Sequence, residues 1–114
     1  MLWMMALLML IADPPSQPQG PPADLQVSAI RGERLAQERC GGCHAIGVFG
    51  ESPASGAPPF RTIPRRYPVE HLEEALAEGI IVSHDAVMPT FQLEPDEIAD
   101  ILAHMRRLEH QERR

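Results

Sequence analysis

The stretch Cys40-Gly41-Gly42-Cys43-His44 decides how this chain is read. Two thiols three residues apart, with a histidine directly after the second, have the spacing of c-type haem attachment. Thiols one helical turn apart can each add across one vinyl group of a porphyrin to form a thioether, while the adjacent imidazole is set beside the iron. Two Cys and five His scattered at random through 114 residues give this template less than about one time in a thousand, so chance is a poor rival. A zinc site would need two further Cys or His at matching spacing, and the sequence offers none. A dithiol redox pair would want a βαβ setting, and no strand pattern flanks the motif.

Upstream, an amphipathic helix leads into the motif. Asp24 is a suitable N-cap, and Leu25, Ala29, Ile30, Leu35 and Ala36 recur with helical period up to about Arg39. A glycine inside a helix costs about 1 kcal/mol against alanine, so Gly32 predicts a second helix crossing closely there. Downstream, residues 40–67 are rich in Gly, Pro, Ser and Ala and follow neither a helical nor a strand period. A loop of that length inside a compact domain is usually functional. A second helix, from about Pro68 to Ala77, starts on a proline, gathers Val69, Leu72, Ala75 and Leu76 on one face and stops at Gly79. The third is the clearest: Pro95 lies in its first turn, Glu97 can fold back as in a capping box, and Ile98 can staple to Leu93. Ile98, Ile101, Leu102, Met105 and Leu108 then form one apolar stripe.

The remaining sequence narrows the folding unit. Residues 1–12 (MLWMMALLMLIA) are an unbroken apolar run, too short to span a bilayer but suited to the hydrophobic region of a secretory signal. No Lys or Arg precedes the run, and association with a membrane is expected only if it stays uncleaved. Segment 13–23 reads as a Pro-rich linker, which leaves residues 24–114 as one domain. All ten basic residues are Arg, the net charge is −6, and a net anion is a poor ligand for nucleic acid. With twelve Pro, eight Gly and only 4% aromatic residues, the side chains alone make a small core. A buried porphyrin face would supply the missing apolar area, so the chain without haem is expected to fold poorly.

On these residues the chain resembles the small monohaem class I c-type cytochrome family over nearly all of 24–114. That family has a Gly eight residues before the first motif Cys, as Gly32 is here, and a Gly/Ala-Pro-x-Leu/Phe stretch after the haem histidine, which Ala57-Pro58-Pro59-Phe60 resembles. The resemblance implies an all-α, cytochrome c-like fold, about three helices plus long loops wrapped around one covalently attached haem c. It implies that Cys40 and Cys43 hold the porphyrin, that His44 ligates the iron, and that the carbonyl of Pro58 accepts a hydrogen bond from the His44 ring. The family's sixth ligand is a Met commonly followed by Pro, which Met88-Pro89 matches. His84 in the same segment is the competing ligand, while Met105 falls on the apolar stripe and reads as core. Arg61, Arg65 and Arg66 follow Pro58 and could neutralise the haem propionates, with Arg61 best placed. The sequence departs from the family twice: Ala36 and His104 stand where it has aromatic residues on the first and last helices.

With both axial positions filled, no coordination site is open to a substrate, which points to electron transfer rather than catalysis. The expected function is a periplasmic one-electron carrier with His/Met ligation, exchanging electrons with a redox protein donor and acceptor. The alternatives are a haem-bearing subunit of a larger periplasmic dehydrogenase or oxidase complex, and a haem-free dithiol or metal-binding protein. Residues 31–66 hold six Arg against three acids, whereas 67–105 hold nine acids and no basic residue. This predicts a partner with a basic docking surface.

Overall fold

The computed structural model describes residues 10–16, 22–79 and 92–114. These residues form four α-helices, α1 (Ala23–Arg39), α2 (Ile63–Arg66), α3 (Val69–Glu78) and α4 (Pro95–Glu112), with a 3-10 turn at Phe60–Thr62 and no strand among them. Of the expected leader only residues 10–12 are described, and Leu10 and Ile11 are exposed. No helix among the described residues is long and apolar enough to cross a membrane.

The fold is organised by the crossing of α1 and α4, which pack against each other along the faces the sequence marks. On α4 the stripe Ile98, Ile101, Leu102, Met105 and Leu108 is buried, each such side chain contributing about 1.5–3 kcal/mol by leaving water. On α1 the buried positions are Ala29, Gly32 and Ala36, all small. A Cβ at Gly32 would fall on the backbone carbonyl of Asp100, so at this crossing only glycine lets the two backbones meet. The Asp100 side chain then closes the contact from its rim. It accepts from Ser28 Oγ at 2.5 Å and from Arg31 Nε and Nη2 at 3.0 and 3.1 Å. The Arg31 hydrogen bonds hold its carboxyl below the ordinary range.

Three details differ from the sequence expectation. The cap of α1 is Pro22, whose carbonyl accepts from Leu25 and Gln26, while Asp24 sits in the first turn, where the helix dipole favours its charge. The third predicted helix runs on to Glu112, because His110 and its neighbours continue the helix past the last apolar contact. Its start is as the sequence indicates, with Glu97 Oε1 accepting from the Glu94 N–H at 2.9 Å in a capping box. Within the supposed loop 40–67, Phe60–Arg66 is helical. Pro64 fixes φ in the first turn of α2, but four residues are too few to display a period. The second predicted helix is α3; Gly79 ends it in the left-handed conformation at φ 73°.

Candidate functional site

The Cys40–His44 turn hangs directly from the C-terminus of α1. Cys40 and Gly41 both donate to the Ala36 carbonyl, at 2.7 and 2.9 Å, and Cys43 and His44 both donate to that of Cys40, at 3.1 and 2.9 Å. The motif therefore coils for one more turn beyond the helix, with the two Cys on it. Gly41 is required there, since a Cβ would collide with the Gln37 carbonyl and side chain, whereas a Cβ at Gly42 meets nothing. Cys40 is half-buried against the core and Cys43 is exposed; neither is in a disulfide. Burial pushes the Cys40 thiol up, an effect that the neighbouring Arg39 charge opposes.

His44 is fixed at its inner nitrogen. Nδ1 lies 2.7 Å from the Pro58 carbonyl. A carbonyl can only accept, so Nδ1 carries the proton and Nε2 presents its lone pair, the tautomer a metal ligand needs. Phe60 packs edge-on to the ring, with centroids 5.5 Å apart and planes at 62°. The backbone around His44 is held as closely. Cys43 O accepts from Ala54 N at 3.1 Å, Ala45 N donates to Ser52 Oγ at 3.1 Å, and Ala45 O accepts from Phe60 N at 2.9 Å. Ile46 O pairs with the buried His104 of α4 at 2.8 Å.

Arg61 reaches back to the turn after the motif, donating from Nη2 to Gly50 O at 2.8 Å. Its Nη1 is buried and has no partner among the described residues. Arg65 instead pairs with Glu112 at 2.7 Å, and Arg66 is exposed. Met105 is buried in the core, and His71 and His110 lie exposed on α3 and α4. Met88, Pro89 and the competing His84 lie outside the described residues. Among those described, no three of His, Cys, Asp or Glu gather as they would around a metal ion.

A donor set of two thiols on one turn, with an imidazole whose outer nitrogen and a buried guanidinium nitrogen that both lack partners among the described residues, fits a haem with its iron and carboxylates. A family model described as Cytochrome c matches residues 29–109. The chain belongs to the cytochrome c family. Neither a curated protein nor a solved structure matches it. The cytochrome c domain takes in α1 from Ala29 onward, the whole motif turn and α4 to Glu109, so the match covers the site as well as the fold. Membership supports haem binding and a haem-based electron carrier that works with redox proteins. Ser52 and the Ile46 carbonyl are parts of the site that the sequence did not disclose. Ser52 stands in a segment without periodicity, while the burial of His104 is implied by its place between Ile101 and Leu108 on the α4 stripe.

Proposed function

We propose that this cytochrome c is a periplasmic one-electron carrier holding a single haem c. Cys40 and Cys43 would supply the two thiols for covalent attachment, and His44 and Met88 would ligate the iron. The Pro58 carbonyl orients the His44 ring, and Arg61 Nη1 receives a propionate carboxylate. When bound, the haem would supply the one-electron chemistry. The observation that carries this reading is the Nδ1 contact to Pro58, which commits His44 to the ligating tautomer. Phe60, buried and edge-on to the ring, keeps water from one side of that imidazole. A dry pocket and a thioether ligand favour the ferrous state relative to two nitrogen ligands.

The acidic segment 67–105 receives a partner's basic surface. On α3 its carboxylates Glu70, Glu73, Glu74 and Glu78 are all exposed, with no basic side chain among them. Export rests on the apolar run at 1–12, which has the length and character of the hydrophobic region of a secretory signal.

The decisive experiment is a visible spectrum and intact mass of protein matured in a host able to attach haem. The expected result is a sharp reduced α-band that survives acid–acetone extraction and one added tetrapyrrole mass. Met88→Ala should keep that mass and lose the sulfur-to-iron absorption in the near infrared. A colourless protein of unmodified mass would overturn the reading.

A further inference from the structure

We propose that His104 is a positioning residue for the iron-ligand segment: from α4 it holds the backbone two residues beyond His44, acting as a neutral connector whose outer end is a charged pair. The inference rests on His44 as the haem ligand.

His104 is 1% exposed, and both of its ring nitrogens are engaged. Nε2 is 2.8 Å from the Ile46 carbonyl, which can only accept, so Nε2 carries a proton. Nδ1 is 3.2 Å from Arg107 Nη2, which can only donate, so Nδ1 is a lone pair. The two neighbours together allow one neutral tautomer. Arg107 Nη2 also donates to Glu33 Oε2 at 2.6 Å, so an unbroken chain of polar contacts runs from α1 through α4 to the motif loop. At the inner end, Ala45 is bonded through both its N–H and its carbonyl, so Ile46 cannot shift without drawing on His44 and its bond to Pro58. A hydrocarbon ring could fill the space of His104 but would leave the Ile46 carbonyl buried and unpaired.

Protonation would break this connector. A second N–H at Nδ1 would face the Arg107 N–H and set two cations side by side. The charged groups that face the ring are Arg107 from α4 and Glu33 from α1; the loop presents the uncharged Ile46 carbonyl. Burial pushes the imidazole below its ordinary value, with Arg107 acting the same way and the Ile46 bond and Glu33 opposing. Because the folded value is lowered, the stabilisation is complete above the ordinary histidine value of about 6.5 and is lost as pH falls below it toward the folded value.

The test uses the haem-bearing protein and two variants. His104→Gln keeps an N–H donor for Ile46 and cannot titrate in this range; His104→Phe keeps the ring and has no donor. Nitrogen NMR of the wild-type ring should show Nε2 protonated and Nδ1 bare at neutral pH. In acid titrations followed by the haem spectrum, His104→Gln should hold its native spectrum to a pH lower than wild type by about half a unit or more. His104→Phe should lose it at a higher pH. An Nδ1–H tautomer, or one shared acid midpoint for wild type and His104→Gln, would sink the proposal even if His104→Phe does not fold. A protein without haem would overturn the functional reading and the positioning role together, whereas a haem-bearing protein with the wrong tautomer overturns the positioning role alone.

Discussion

The α1–α4 crossing and the segment from Cys43 to Phe60 are held by different forces. At the crossing, five large apolar side chains of α4 are buried, and a glycine brings the backbones into contact. From Cys43 to Phe60 only Ala45, Ile46 and Phe60 are buried apolar residues, and the rest of the segment is fixed by hydrogen bonds to its backbone, through Ala54, Ser52, Phe60 and His104 of α4, while Val48 and Phe49 lie exposed. Packing of that kind specifies its geometry without help. A net of single hydrogen bonds, each worth about 1 kcal/mol, holds a shape but supplies little of the energy that keeps it. The motif segment therefore depends on what binds to it, and the helix pair provides the frame.

That contrast can be broken most directly by preventing attachment. In the double variant Cys40→Ala/Cys43→Ala, hydrogen exchange should show the amides of Ala54 and Phe60 losing their protection, with a smaller loss in α4 around Ile101 and Leu102. Equal loss in both regions would mean that they form one cooperative unit. The frame itself is tested by Gly32→Val, whose side chain would drive the helices apart. Denaturant unfolding of the haem-bearing protein should show a cost of about 3 kcal/mol or more. A smaller effect is expected from Ser52→Ala, which strips the Ala45 N–H of its acceptor. It should lower stability by about 1 kcal/mol in the same measurement and leave the α4 amides as protected as before.

What was legible in the sequence follows the same division. α4 could be read from its start to Leu108 because burial repeats over many turns, and Gly32 announced its crossing because a glycine in mid-helix needs a reason. The Cys40–His44 motif was legible because its chemistry depends on spacing alone. α2 was not, since four residues hold no period, and neither were the contacts of Ser52 and Ile46. His104 meets Ile46 across a sequence separation of 58, a pairing set by tertiary structure and invisible in either local segment. The family resemblance, rather than any periodicity, points to Pro58, whose carbonyl lies beside His44.

The reliance of α1 on α4 also bears on the order of events in biosynthesis. Arg31 and Asp100 are 69 positions apart, so a chain emerging from a ribosome or a translocation pore releases both thiols well before the partner of Gly32 appears. Until then Cys40 is not sheltered, and its sulfur is closer to the ionisation of an ordinary cysteine than it becomes in the finished fold. Under the proposed attachment, the enzymes that join porphyrin to sulfur would meet both thiols on this open, half-made chain, before Cys40 settles against the core.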